Sequence, residues 1–126
     1  MRATLLVVED NRLNLQLVRD ILEYRGHQVE FATTVQEARD RLQSGRPDLV
    51  LLDIQLPGGG GEQLLQEIRR SAALGDLPVI AMTALAMEGD RERLLSAGFD
   101  GYLSKPIDTR TFGPTVESFL TAKETP

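Results

Sequence analysis

The sequence predicts an α/β fold in which helices cover both faces of a parallel five-stranded sheet. Short apolar runs alternate five times with stretches of helical periodicity, which is typical of βαβ units. Three of the runs, residues 5–8, 49–52 and 79–82, are wholly apolar, as expected of interior strands covered on both faces. Because crossovers are right-handed and the first strand is interior, we expect the flavodoxin-like (βα)5 strand order 2-1-3-4-5.

The first half of the chain contains two predicted strands and two helices. A strand at about residues 4–8 precedes a helix that begins near Asn11 and ends at Gly26, since glycine is common just past a helix C-terminus. The second strand contains Val29 and Phe31 in alternation with polar residues, as in an edge strand, and a capping box at residues 34–37 opens the second helix. The apolar residues expected on the inner face of the first helix are Leu13, Leu17, Val18, Ile21 and Leu22.

The second half continues the same alternation. Pro47 precedes the third strand, and the next helix carries Leu64, Leu65 and Ile68 on one side. Pro78 opens the fourth strand. The remaining predicted elements are a helix from about Glu88 to Ala97, a short strand at residues 101–104, and a last helix with Asp108 as its N-cap that ends near Leu120.

Length and composition favour one globular domain. At 126 residues, of which 41% are hydrophobic, we expect a single domain over residues 1–121 and a short tail at 122–126. The chain has no cysteine, which excludes disulfides and thiolate sites. A net charge of −5 argues against nucleic-acid and membrane-surface binding. Without a signal-peptide pattern or a membrane-spanning run, a cytoplasmic location is expected.

Three carboxylates follow two strands that the predicted order makes neighbours. Glu9 and Asp10 come directly after the first strand, and Asp53 ends the third. Parallel strands bring their carboxyl ends to one edge of the sheet, so these like charges require a proton or a cation. A site made only of oxygen ligands suits Mg²⁺ better than zinc. The alternative is that Glu9 and Asp10 merely cap the first helix.

A hydroxyl and an ammonium are predicted at the same edge. Thr83 ends the fourth strand and Lys105 follows the fifth. Beside a metal-bound carboxylate, these groups could stabilise the oxygens of a transferred phosphoryl group. Ala84 is small enough to leave the carboxylate accessible. Either residue alone would be interpreted as a strand-ending threonine or a solvated lysine.

Other known motifs for phosphate chemistry are absent from the sequence. Gln63 stands where G-x-G-x-x-G requires its last glycine, and there is no G-x-x-x-x-G-K-[ST] loop. An aspartyl phosphatase would need an aspartate at the position of Gln55. The sole histidine, His27, is expected at the surface in a turn, so no Ser-His-Asp arrangement is indicated.

Four segments together resemble the receiver domain of bacterial two-component response regulators. They are VVEDN at residues 7–11, LLDIQLP at 51–57, MTA at 82–84 and LSKPI at 103–107. Each segment is moderately specific, and their order and spacing match the family over nearly the whole chain, most closely its single-domain, chemotaxis-regulator-like members.

The resemblance implies a role for each residue of the acidic site. Asp53 matches the phosphoacceptor, which receives its phosphoryl group from a histidine kinase or a histidine phosphotransfer protein. Glu9 and Asp10 match the acidic pair that binds Mg²⁺, with Mn²⁺ as an alternative ion. Asp53 and the backbone carbonyl of Gln55 complete the expected protein ligands.

The resemblance also implies a conformational switch. Thr83 matches the switch hydroxyl that moves toward the phosphoryl group, and Lys105 matches the cation that pairs with it. Pro106 matches a proline that is cis in the family. Tyr102 matches the aromatic residue that turns inward on phosphorylation, although its position alone would suggest a half-buried packing residue. The readout surface would be helix 4, strand 5 and helix 5.

Two features depart from the family pattern. Gly58 to Gly61 occupy positions where the family has larger residues, which predicts a mobile loop after strand 3. Gly113-Pro114 falls inside the predicted last helix. A proline there removes a backbone donor, so we expect helix 5 to be kinked or to start late.

The sequence therefore predicts a phosphorylatable switch that catalyses only its own phosphorylation and dephosphorylation and signals to a downstream protein target. One alternative is a receiver from a hybrid histidine kinase, acting as a phosphate relay or sink. Another is a pseudo-receiver that binds partners without phosphorylation. Gln55 and Leu85 flank the expected path of the attacking water and should tune the phosphoryl lifetime. The chain is expected to be a monomer or a phosphorylation-dependent dimer.

Overall fold

A computed structural model describes residues 2–84 and 89–124, with side chains described as far as residue 120. Leu85, and Glu88 at which the fourth helix was predicted to begin, lie outside the described residues. Five strands alternate with five helices within the described ranges. The elements are β1 (Thr4–Val8), α1 (Arg12–Tyr24), β2 (Gln28–Ala32), α2 (Val35–Ser44), β3 (Leu49–Asp53), α3 (Gly61–Arg70), β4 (Val79–Thr83), α4 (Asp90–Ala97), β5 (Gly101–Ser104) and α5 (Phe112–Glu124).

The strands form one parallel sheet in the order β2-β1-β3-β4-β5, which confirms the predicted fold class. Val8 is in register with Leu52, Asp53 with Met82, and Thr83 with Ser104. The carboxyl ends of β1, β3, β4 and β5 therefore meet at one edge of the sheet. β2 is an edge strand, as its alternating pattern indicated, and it is less buried than β1, β3 and β4.

The continuous apolar strands supply two cores, one on each face of the sheet. Successive strand residues point to opposite faces, so Leu6, Val50 and Leu52 pack beneath α2 and α3. Their neighbours Leu5 and Leu51 pack beneath α1 and α5. This double burial explains why β1, β3 and β4 show no polar alternation. Among the described residues, no helix is long and apolar enough to cross a membrane.

The predicted starts of the first two helices are confirmed, as is the end of the first helix at Gly26. Asn11 is the N-cap of α1, and its side chain accepts the Asn14 N–H, while Gly26 follows the helix with φ of 95°. Thr34 caps α2 by accepting the Glu37 N–H. The Glu37 carboxylate accepts a hydrogen bond from the hydroxyl of Thr33.

Two placements predicted from the sequence are wrong. Leu13 is 80% exposed, because it precedes the buried Val18 by five residues and so lies about 140° away around the helix. His27 is buried rather than at the surface, with 4% of its area exposed. Its Nδ1 accepts the Ala3 N–H at 3.1 Å and its Nε2 lies 2.7 Å from Oε2 of Glu117, so both ring nitrogens have partners inside the protein.

The last helix begins later than a cap at Asp108 would require. The Asp108 carboxylate accepts the Arg110 N–H in a turn that precedes α5, and the helix begins at Phe112. Pro114 thus lies in the first turn, where a missing N–H costs no intrahelical bond. The late start is confirmed. The helix continues to Glu124 rather than ending near Leu120, so it includes part of the predicted tail, because Ala, Lys and Glu favour helix.

Candidate functional site

The predicted acidic site forms at the carboxyl edge of β1 and β3. One carboxylate oxygen from each of Glu9, Asp10 and Asp53 lies within 4.8 Å of the other two. Glu9 and Asp53 are buried, with 0% and 2% of their areas exposed, and Asp10 is exposed. The site thus combines two desolvated carboxylates with one that faces solvent.

Glu9 is held by several hydrogen-bond donors. Its Oε2 accepts the Asp10 N–H at 3.1 Å, and its Oε1 accepts Nδ2 of Asn14 at 3.1 Å. Asn11, and neither Glu9 nor Asp10, is the N-cap of α1, so the helix-cap alternative is wrong. The sequence analysis did not identify Asn14 as a site residue, because the sequence does not show which group an asparagine in the first turn of a helix contacts.

Lys105 lies between the two buried carboxylates. Its Nζ is 2.6 Å from Oε1 of Glu9 and 3.1 Å from Oδ2 of Asp53, and 15% of its side chain is exposed. The backbone positions the side chain, because the Lys105 N–H donates to the carbonyl of Thr83 at 2.8 Å. The Lys105–Pro106 peptide bond is cis, as the resemblance implied.

The three central charges shift one another's pKa values. Burial raises the pKa of Glu9, and the neighbouring Asp53 carboxylate adds to this effect. Burial alone would raise the pKa of Asp53 as well, but hydrogen bonds from Glu9, the Gln55 N–H and Lys105 outweigh it, and the pKa is lowered. Lys105 has a raised pKa, since its two carboxylate partners outweigh its burial. Of the two buried carboxyls, Asp53 is therefore the one that ionises more readily, and Lys105 is held as an ammonium.

The donor set fits a hard divalent cation. The cluster offers only carboxylate oxygens, and its exposed member, Asp10, leaves room for water ligands, which Mg²⁺ retains. A bound dication would replace the charge compensation that Lys105 supplies to Glu9 and Asp53. The backbone of Gln55 adjoins the cluster, because its N–H donates to Oδ1 of Asp53 at 2.8 Å.

Gln55 and Thr83 complete the edge of the site. The side-chain Oε1 of Gln55 accepts the Ala84 N–H at 2.9 Å and so joins the β3–α3 loop to the end of β4. Thr83 is fully buried at the carboxyl end of β4. Sequence reasoning assigned a metal-binding role to the backbone of Gln55 but missed its side-chain bond, which joins residues 29 positions apart.

The remaining sequence-predicted features lie around this edge. Tyr102 is half-buried in β5 and packs against the core beneath α2 and α3. In the loop after Pro57, Gly58, Gly59 and Gly60 all have positive φ, between 70° and 91°. Glycine is thus required by the backbone conformation there. The predicted mobility of this loop stays a prediction.

Residues 5–117 match the family model of the response regulator receiver domain. The chain belongs to this family. Among curated proteins, the receiver is 41% identical to the polar-differentiation response regulator DivK of Brucella anthropi over 120 residues, covering 95% of this chain and 98% of that protein.

Solved structures agree in fold over nearly the full length of the receiver. A putative response regulator from Chloroflexus aurantiacus has a TM-score of 0.88 at 26% identity, covering 96% of this chain and 99% of that one. The receiver domain of a signal transduction histidine kinase from Syntrophus aciditrophicus has a TM-score of 0.86 at 29% identity, covering 98% and 94%. Similar folds thus occur in response regulators and in a histidine kinase.

Proposed function

We propose that this receiver is a phosphoacceptor switch that takes a phosphoryl group from a phosphohistidine onto Asp53. The observation that carries the proposal is a buried Asp53 with a lowered pKa that lies beside both the Lys105 ammonium and the carboxylates of Glu9 and Asp10. A histidine kinase or a histidine phosphotransfer protein would be the donor, and a downstream protein would read the altered surface of α4, β5 and α5.

The transfer requires one bond to form and one to break. An Oδ atom of Asp53 forms the new O–P bond while the N–P bond to the donor imidazole breaks. The residues that would hold Mg²⁺, or Mn²⁺ in its place, are Glu9, Asp10, Asp53 and Gln55 through its backbone carbonyl. The ion would supply positive charge to the phosphoryl oxygens.

Lys105 and Thr83 would act on the product. The Lys105 ammonium is already within hydrogen-bond reach of Asp53, so it can pair with a phosphoryl oxygen there. The hydroxyl of Thr83 would turn toward the phosphoryl group, with Tyr102 moving inward behind it. Gln55, whose side chain accepts the Ala84 N–H, would control water access to the phosphoryl group and hence its lifetime; the bond from the Asp53 loop to Ala84 supports this role.

The same chemistry would serve a relay within a histidine kinase, and the resemblance to the Syntrophus aciditrophicus receiver favours keeping this second candidate. The two functions differ only in whether the phosphoryl group on Asp53 moves to a further histidine. A cytoplasmic location and a phosphorylation-dependent dimer stay predictions.

Intact-protein mass spectrometry after incubation with acetyl phosphate tests the proposal. We expect one added phosphoryl group that requires Mg²⁺ and is lost in Asp53→Asn. Asp20→Asn, which changes an exposed aspartate on α1, is the matched control and should be phosphorylated normally. No adduct on the wild-type chain, even with a competent histidine kinase as donor and rapid sampling, would refute phosphotransfer and favour a pseudo-receiver.

A further inference from the structure

Two side chains from distant parts of the chain donate to the same oxygen of Glu9. Nδ2 of Asn14 donates to Oε1 at 3.1 Å, and Nζ of Lys105 donates to it at 2.6 Å. Asn14 lies on α1, five residues from Glu9, whereas Lys105 lies 96 residues away in the loop after β5. The Lys105 ammonium is also bonded to Oδ2 of Asp53. Glu9 thus shares one donor with the proposed phosphoacceptor and receives the other from its own neighbourhood in the chain.

The start of α1 fixes the position of Asn14. The Asn14 N–H donates to Oδ1 of Asn11, the N-cap, at 3.0 Å, which anchors the first turn of the helix. The residue is half-buried. Because an ionised carboxylate oxygen only accepts hydrogen bonds, the amide nitrogen of Asn14 is the atom that faces Glu9. The bond therefore depends on the β1–α1 segment and not on the loop that carries Lys105.

The Glu9 carboxylate is too deeply buried to exchange a protein donor for water. Its side chain is 0% exposed, and a buried carboxylate oxygen that loses its donor is costly. Oε2 accepts the backbone N–H groups of Asp10 and Asn11 at 3.1 and 3.4 Å, both from the segment that follows Glu9 directly. Oε1 has a less permanent arrangement, because one of its two donors is the ammonium shared with Asp53.

A divalent cation would oppose one of these donors and not the other. Like charges repel, so a dication beside Glu9 and Asp53 disfavours the Lys105 ammonium at Oε1. The amide of Asn14 is neutral, so its bond to Oε1 is compatible with a bound cation. Hydrogen-bond partners of this kind orient metal-ligating carboxylates, and the loss of one typically weakens metal affinity by about 10- to 100-fold.

We propose that Asn14 is a positioning residue for Glu9, whose carboxylate it keeps oriented toward a bound divalent cation once Lys105 is released. This inference rests on the metal site of the proposed function. Asn14 acts on the cation through Glu9 and does not touch it. An asparagine with a merely structural role would instead contribute to the stability of α1 and leave the metal affinity of the folded protein unchanged.

Titration of the full chain with Mg²⁺, followed by amide NMR without any phosphoryl donor, tests the proposal. Asn14→Leu removes the amide and keeps a side chain of similar size. We expect its Kd for Mg²⁺ to rise about ten-fold. Gln16→Leu is the matched control, because it makes the same kind of change at an exposed position of α1 and should keep the wild-type Kd. The spectra also show that each variant is folded, so a loss of stability is not mistaken for a loss of affinity.

The side-chain amide of Asn14 in the wild-type protein provides a second measurement that requires no variant to fold. Its Nδ2 protons are observable by NMR, and their bond to Glu9 should slow their exchange with water. We expect this protection to persist when the protein is saturated with Mg²⁺. The side-chain amide of the exposed Gln16 provides the reference for fast exchange in the same spectra.

Equal Kd values for Asn14→Leu and Gln16→Leu would overturn the proposal, as would loss of the Asn14 protection when Mg²⁺ binds. A wild-type chain that binds no Mg²⁺ would overturn it as well. Intact mass after incubation with acetyl phosphate is measured separately and reports the proposed function. If the wild-type chain binds Mg²⁺ with the expected dependence on Asn14 but gains no adduct, phosphotransfer fails and the role of Asn14 stands.

Discussion

Alanine at the first two glycines of the β3–α3 loop should destabilise the receiver. Gly58 and Gly59 have φ of 83° and 70°, and a Cβ built at either position meets nothing within 4 Å. Any cost therefore comes from the backbone conformation and not from a clash. The substitutions therefore distinguish two descriptions of the loop: an ordered loop whose backbone conformation requires glycine, and the mobile loop that its glycine content predicts.

The magnitude follows from two opposing effects. A non-glycine residue held in the left-handed region costs about 1–2 kcal/mol. Replacing glycine also removes unfolded-chain entropy, which returns about 0.4–1 kcal/mol. Each substitution should thus destabilise the fold by about 1 kcal/mol, and Gly58→Ala/Gly59→Ala together by about 2 kcal/mol. For a domain of this length, each kcal/mol lowers the melting temperature by about 4 °C.

Urea unfolding at pH 7 without Mg²⁺ measures both variants. Gly45→Ala is the control, because Gly45 has extended backbone with φ of 177° and open space around its Cβ position. It should be neutral or stabilised. If the double variant at residues 58 and 59 is as stable as wild type, the loop does not hold its positive φ angles in solution, and the argument from backbone strain is wrong.

Two further predictions concern titrating groups. Hydrogen bonds from Arg25, outweighing the effect of burial and joined by those of His27, lower the pKa of Glu117 to about 2 from 4.5. Because the pKa of Glu117 is depressed in the folded protein, its ionised carboxylate stabilises the fold above pH 4.5, and this stabilisation is lost as pH falls through about 2. The loss of unfolding free energy caused by Glu117→Gln, measured by urea unfolding, should therefore shrink on acidification. A deficit of equal size at pH 7 and pH 2.5 would contradict the pairing. The pKa of Glu9 is raised in the folded protein, so the folded protein loses stability as pH rises above 4.5. In metal-free buffer, Glu9→Gln should therefore gain stability relative to wild type between pH 5 and pH 8, and no relative gain would argue against the buried, proton-retaining carboxyl.

The sequence predicted the features that depend on local patterns. Interior strands are visible as apolar runs, and a carboxylate directly after such a run must lie at the sheet edge. Asp53 and Glu9 could therefore be assigned to one site before their separation was known. The edge position of β2 followed in the same way from alternation around Val29 and Phe31.

The features that could not be predicted depend on pairs distant in the chain. Lys105 bonds more closely to Glu9 than to Asp53, across 96 positions, and no local pattern encodes this preference. His27 is buried because Ala3 and Glu117 supply its partners from 24 and 90 positions away. Leu13 shows the converse error, since an apolar residue in a helix need not face the core.

At the acidic site, a proton, the Lys105 ammonium and a divalent metal ion compete for the carboxylate of Glu9. Glu9 retains a proton more readily than a free carboxyl, and a divalent ion bound there requires the deprotonated form. A bound metal ion would thus favour the ionised form of Glu9 and release Lys105 from one of its two carboxylate partners. Under the proposed function, the freed ammonium would then be available to the incoming phosphoryl group, so metal binding would prepare the acceptor for its donor.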